Sequence, residues 1–312
     1  MALIWKSIHF SNILLIILSL WACRGASLTL NESSMLERYE QWMVQYGRVY
    51  NDATEKETRF EIFKENVKHI ESLNRAGNRT YMLSVNGFAD QTNEEFKAAR
   101  NGYKGLCTLA KPLHVTPFRY KNSTTVPSSM DWGKKGAVTP VKDQGQCVAA
   151  MEGTTQLKIG KLISLSEQEL VDCDTKGMDQ VCEGGEMDDA FLFVQCNKGI
   201  TSETTYPYTA ADNTCNTKEE ASHAAEISVH EDVPRNSEVA LLQAVVNQPI
   251  AVAIDAGGSD FQFYSSGVFT GQCVIDLDHG VTAVGYGVSN DGTKYWLVKN
   301  SWGSAYGVRM DT

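Results

Sequence analysis

The chain has 312 residues, 42% of them hydrophobic and 21% charged, and a formal net charge of −10. Such a balance suits one or two globular cores and excludes collagen-like or low-complexity architectures. The acidity is concentrated in residues 126–312, which carry 12 Lys+Arg against 26 Asp+Glu; residues 1–125 carry 16 against 12. This argues against nucleic acid as a partner of the body, and it makes association of the basic segment with the acidic one the expectation.

Met1 to Ala26 reads as a secretory signal. Lys6 marks the basic start, Asn12 to Leu20 holds the apolar run, and Ala22, Gly25 and Ala26 are small residues near a cleavage point. The run is shorter than the roughly 20 apolar residues a membrane span needs. No membrane association is therefore expected once the signal is removed. Entry into the secretory pathway permits disulfides. Of eight cysteines, Cys23 falls in the signal, and the seven others leave at least one thiol outside any intramolecular pairing. Asn31, Asn78 and Asn122 each begin an N-glycosylation pattern.

Residues 31–100 read as helix-rich. Glu55, Arg59, Phe63, Asn66, Ile70 and Asn74 recur at spacings of four and three, which places all six on one helical face. Asn86 to Asp90 reads as a turn or short strand, and a helix is expected from Asn93 to Arg100. Between Gly102 and Ser129 apolar periodicity disappears, as in a linker open to proteolysis. Past that segment, Asp143-Gln144-Gly145-Gln146-Cys147 leads straight into an alanine-rich helical pattern. A cysteine there would meet the positive end of a helix dipole, which favours thiolate. Ser166 to Glu169 forms a capping-box pattern, and further helices are expected at 188–197 and 237–247. The runs 250–254, 280–287 and 295–299 read as strands bounded by Gly, Asn and Asp.

Taken together these segments resemble the precursor of a papain-family cysteine protease of the plant secreted or vacuolar type. The six-residue helical face and the Asn86, Phe88, Asp90 set match the family's inhibitory pro-segment, with Ser84 where glycine is usual. Pro140 to Gly145, Ser166 to Asp174, Cys182 to Gly185, Asp278-His279-Gly280 and Asn300 to Gly303 match the protease itself. The resemblance implies an α+β, papain-like two-domain fold. An α-rich half at 126–230 and a β-barrel-like half at 231–312 would follow the signal at 1–26 and a helical inhibitory propeptide at 27–125. It assigns His279 as catalytic base, Asn300 as its orienting amide, Trp302 as their shield and Gln144 as the oxyanion donor. Gly184 and Gly185 would present backbone to an extended substrate, while Met187, Ala253 and Leu277 would line an apolar pocket. Disulfides Cys147–Cys182 and Cys173–Cys215 are implied, leaving Cys107, Cys196 and Cys273 unassigned. No metal or cofactor is implied. The partners would be polypeptide substrates or related cysteine proteases, together with the chain's own propeptide; a monomer in an extracellular, vacuolar or lysosome-like acidic compartment is expected.

Two departures from the family pattern bear on activity. The family signature runs Cys-Gly-Ser/Ala-Cys-Trp, with the second cysteine as nucleophile, whereas Val148-Ala149-Ala150 follows Cys147 here. Gln144 lies three residues before Cys147, a separation that suits the disulfide cysteine and is too short for the nucleophile. About eight residues, or ~12 Å of helix, are then missing before Val148. The Trp302 to Met310 stretch is likewise compressed, so the right-hand half is expected to be truncated at its C-terminus. The expectation is a protease zymogen by descent that lacks its nucleophile. The alternatives are a propeptide-type inhibitor of related proteases and a mis-spliced product.

Overall fold

The computed structural model describes residues 32–101, 118–123, 125–142, 148–174 and 187–303. The signal segment, Asn31, Cys107, Gln144, Cys147, Cys182, Gly184, Gly185 and the end of the chain after Gly303 lie outside the described residues, as does the Cys147–Cys182 pairing. Two compact units are present, Met1–His69 and Ile70–Thr312.

The first unit holds helix α1 (32–46) and most of α2 (Ala53–Ala76). Its core is aromatic: Tyr39 lies 5.1 Å from Phe63 and 5.9 Å from Trp42, and Trp42 lies 5.3 Å from Phe63. Tilted and offset rings at these separations add to the burial energy. Asp52 caps α2 by accepting from the Glu55 amide at 2.8 Å, while the Glu55 carboxylate accepts from the Asn51 amide at 3.1 Å. Glu55 thus serves the helix start, where a negative side chain meets the positive end of the dipole.

In the second unit the periodic segments become elements within one or two residues of their expected limits. Strand β1 (Tyr81–Leu83) precedes α3 (Asn93–Arg100), whose capping box joins Thr92 and Glu95. Beyond them come β2 (Met130–Asp131), α4 (Val148–Ile159), α5 (Glu167–Cys173), α6 (Met187–Cys196), β3 (Ile200–Thr201), α7 (Thr217–Glu220) and β4 (His223–Ala225). The remainder is α8 (Glu238–Val245), β5 (Ile250–Ile254), α9 (Ser259–Gln262), β6 (Tyr264–Gly267), β7 (His279–Val288) and β8 (Lys294–Lys299). The capping box expected at Ser166 forms only by half. Ser166 Oγ accepts from the Glu169 amide, but the Glu169 carboxylate accepts instead from the Thr201 amide at 2.6 Å and from Asn197 at 3.0 Å. A tertiary donor wins over the local one because Glu169 is fully buried and must satisfy both oxygens there.

Helices and sheet segregate, which makes the class α+β. Two cores serve the body. Met151 of α4, Leu165, Val194 of α6 and Ile200 form one, among helices. The other packs Met130, Trp132, Val245, Ala283 and Tyr286 on an antiparallel sheet centred on β7. Strand β8 pairs along one edge of β7, and β5 and β2 share the opposite edge in succession. Gly285 lies where β2 crosses, and a Cβ there would run into the Met130 carbonyl. Cys173 and Cys215 are joined by a disulfide that ties α5 to the segment before α7. Part of the stretch read as an open linker is seated on the body by polar contacts. Tyr120 donates to Gln248 at 3.0 Å, Gln243 donates to the Ser123 carbonyl at 3.1 Å, and Tyr286 donates to the Pro127 carbonyl at 2.9 Å. Side-chain hydrogen bonds leave no hydrophobic period, so the sequence pattern there resembled a linker.

Candidate active site

The site is built at one end of β7, where the sheet hands its residues to two neighbours. His279 opens β7 opposite Ile254 of β5, and Asn300 follows the last residue of β8. Antiparallel pairing of β7 with β8 therefore brings residues 21 apart in sequence to 2.7 Å, between His279 Nε2 and Asn300 Oδ1. Asn300 Oδ1 also accepts from the Ser301 amide at 2.7 Å, which fixes the carboxamide's orientation. Trp302 stacks on the imidazole with ring centres 4.5 Å apart, and both rings are fully buried. Burial pulls the His279 pKa down to about 4, against the opposing hydrogen bond from Asn300. The ring is therefore neutral at physiological pH.

The covering over Trp302 comes from α3 and α9. Phe96 of α3 meets its ring edge-on at 5.0 Å and Phe261 of α9 does so at 5.6 Å, with Phe88 tilted against Phe96 at 5.2 Å. These residues and Ala256 make a third core, shared by segments up to about 200 positions apart in the chain. Of the six residues expected on one face of α2, Asn74 has a clear task here. Its amide donates to the Leu83 carbonyl at 2.8 Å and accepts from the Leu83 amide at 3.0 Å, so α2 sets the position of β1. Asn86 likewise donates to the Gln262 carbonyl at 2.7 Å and accepts from the Phe88 amide at 3.0 Å.

The other expected site residues are spread around this centre. Ala253 pairs with Gly280 across β5 and β7, Met187 opens α6, and Leu277 stands 49% exposed two residues before His279. Asn78 and Asn122 are both exposed. Between α4 and the sheet lies a cavity of about 10 Å³, room for about one water, lined among the described residues by Ala149, Gly280, Thr282, Asn300 and Ser301.

Lys142 and Lys299, which also line the cavity, belong to a buried charge cluster that sequence reading missed, because its members come from five segments. Lys142 Nζ lies 2.6 Å from Glu167, 3.0 Å from Glu152 and 3.9 Å from Glu203. Lys299 Nζ lies 3.4 Å from Glu152 and donates to Thr139 Oγ1 at 2.6 Å; Thr139 in turn bonds Glu152. The Lys142 carbonyl also accepts from the Gly303 amide at 3.0 Å, which ties the cluster to the Trp302 segment. Burial would lower the Lys142 pKa, but Glu167 and Glu152 more than offset it; Lys299 is lowered by burial. Burial, aided by a hydrogen bond with Glu203 and opposed by Lys142, raises Glu167 to about 8. Burial, with the Glu220 charge adding to it, raises Glu169 to about 7 against the hydrogen bonds from the Thr201 amide and Asn197.

A carboxyl whose folded pKa exceeds its unfolded value stabilises the fold below the unfolded value and loses that contribution as pH rises through the folded one. Glu167 and Glu169 thus withdraw stability as pH climbs from about 4.5 to about 7–8. His279 works the other way, with a lowered folded pKa that withdraws stability as pH falls from 6.5 through about 4. Together these groups place maximal stability on the acid side of neutrality. Urea unfolding should show a lower midpoint at pH 8 than at pH 5, and Glu167→Gln should flatten that fall by a few kcal/mol. An unchanged pH slope in Glu167→Gln would show that Glu167 is ionised throughout.

Comparison with known proteins places this geometry. The model of the papain family cysteine proteases matches residues 126–309, and that of the cathepsin propeptide inhibitor domain (I29) matches residues 39–96. The senescence-specific cysteine protease SAG39 of Oryza sativa subsp. indica is 55% identical over 287 residues, covering 89% of this chain and 83% of that one. Vignain of Ricinus communis is 51% identical, over 90% of this chain and 81% of its own. Among solved structures, a recombinant stem bromelain precursor superposes with a TM-score of 0.79 at 42% identity, covering 89% of this chain and 93% of that one. The proform of the ragweed pollen protease Amb a 11 gives 0.76 at 35% identity, covering 88% and 86%.

Proposed function

This chain belongs to the papain family of cysteine proteases and carries that family's pro-segment, and on that premise we propose that it is a zymogen whose base and orienting amide are assembled without a nucleophilic thiol. His279 is the base, Asn300 holds its ring, Trp302 shields their hydrogen bond, and Gln144 is the oxyanion donor. Gly184, Gly185, Met187, Ala253 and Leu277 line the substrate cleft. Hydrolysis would need a thiolate that attacks the carbonyl carbon while imidazolium protonates the departing amine. Signal-directed entry into the secretory pathway and an acidic destination complete the reading, consistent with a stability maximum below neutrality.

The observation that carries it is α4. A nucleophile at the start of this helix would gain thiolate character from the dipole. Yet Val148–Ile159 contains no cysteine, and the α4 side chain lining the cavity beside Gly280 and Asn300 is the methyl of Ala149. Cys147, three residues after Gln144, has the spacing of the disulfide partner of Cys182. The test is hydrolysis of a fluorogenic peptide by the purified full chain after acid treatment. No turnover above buffer is expected; turnover that vanishes in Cys147→Ser would overturn the proposal.

A second reading, inhibition of related cysteine proteases by the pro-segment, draws on its intact aromatic core around Tyr39, Trp42 and Phe63 and on its specific seat on the body. Adding the full chain to an active relative in the same assay separates the two. Inhibition at micromolar concentration would favour the second reading.

A further inference from the structure

Strand β1 lies against β6, with Tyr81 opposite Gly267, and Gly267 is at φ +90°, where a Cβ would run into the Thr80 carbonyl. Backbone pairing of this kind accepts many sequences, since it reads only amides and carbonyls. The side chains around it are more selective. Asp260 of α9 takes two donors on a single oxygen: Arg79 Nη1 at 2.6 Å and the Tyr81 hydroxyl at 2.7 Å. Arg79 also donates to the Tyr81 hydroxyl at 2.8 Å and lies over its ring at 5.4 Å, and that ring packs on Phe269 at 4.7 Å. Thr80, on the opposite face, donates to the Val268 carbonyl at 2.6 Å. Two residues further along α9, Gln262 is buried and its side chain is engaged by the pro-segment. It accepts from Asn93 at 3.1 Å and donates towards the Gln91 and Phe88 carbonyls at 3.3 and 3.4 Å.

We propose that α9 is the element that selects the pro-segment, with Asp260 recognising a guanidinium two residues before a phenol and Gln262 recognising the amide that follows. The partner it fits is an extended chain of Arg-x-Tyr chemistry, and a segment lacking that pair is refused even though its backbone could still pair with β6. The arrangement is chemically asymmetric. A carboxylate can hold the cation and the phenol together, whereas an amide at 260 would meet Arg79 with a weaker acceptor. The Arg79–Asp260 pair keeps 32% and 23% of its side-chain surface exposed, so its value lies in discrimination rather than bulk stability. The selection stands whether or not a thiol acts at the active site, so its test reads docking rather than hydrolysis.

Hydrogen exchange by mass spectrometry on the full chain resolves residues 79–83 from the rest. Asp260→Asn and Arg79→Gln should each speed exchange there by about ten- to a hundred-fold, the range for a hydrogen bond to a charged group. The reversed pair, Arg79→Asp with Asp260→Arg, should recover at least half of that loss on a logarithmic scale. Tyr81→Phe, which removes one hydroxyl and leaves the ring, should give a several-fold rise confined to the same residues. Unchanged exchange in the single variants would overturn the proposal. So would a reversed pair no better protected than either single reversal, because a merely structural contact would not respond to restored complementarity. Should a reversal unfold the chain, Tyr81→Phe and Arg79→Gln decide alone, and silence in both rejects the selection.

Discussion

Replacing Trp302 with alanine should destabilise the folded chain by about 3–5 kcal/mol, the cost of deleting a fully buried large aromatic. The expectation rests on more than area. Trp302 is the common neighbour of three rings, Phe96, Phe261 and His279, at 5.0, 5.6 and 4.5 Å. Its loss leaves a hole that none of them can fill without giving up another contact, and partial collapse at such sites is what makes the cost vary. A loss of this size is a large share of the ~5–15 kcal/mol that holds a typical domain. The loss should also be shared between the pro-segment and the body, so Phe96→Ala and Trp302→Ala should be non-additive. Urea unfolding of the single and double variants measures both quantities. A loss below about 1 kcal/mol would mean that the shared core is loosely packed.

The second large effect is a gain. Placing eight residues that begin Gly-Ser-Cys-Trp between Cys147 and Val148 should make the chain a peptidase. The rise should reach at least ~10³-fold over the unmodified chain, since removing the nucleophile from a catalytic set costs on the order of 10⁴–10⁶ in turnover. Among the described residues the base and its supports are already assembled. His279 and Asn300 are at hydrogen-bond distance, Trp302 covers them, and the Lys142–Glu152–Lys299 cluster anchors the start of the loop to the sheet. Two restored turns would extend α4 by ~12 Å and carry a thiol to its positive end. Serine in place of the inserted cysteine should return the chain to background. If the inserted chain folds, binds its pro-segment and stays inert after acid treatment, then more than the nucleophile is lost.

How much of this was legible in the sequence depends on where each interaction is made. Helix α3 and strands β5, β7 and β8 were readable to within a residue or two of their limits, and α2 was readable as one helix through its six-residue face. His279 and Asn300 were recognisable from their short motifs, and β7–β8 pairing brings them together. Glu169 misled because its pattern predicts a local cap, while a buried carboxylate found the Thr201 amide instead. Asp260 and Gln262 left no trace. They sit on a four-residue helix, too short for any periodicity, and their partners lie 169–181 positions away. The helix that carries Phe96 was legible, but the place of that ring against Trp302 is a property of the folded chain alone.

The central claim is that the catalytic frame is present and the thiol is not. Its most direct measurement is peptide hydrolysis by the acid-treated full chain beside its Cys147→Ser variant, with removal of the pro-segment followed by mass. The account predicts that both chains stay at the buffer rate even when residues 27–125 have been cleaved away. Turnover in the unmodified chain that disappears in Cys147→Ser would contradict it and would make Cys147 the nucleophile.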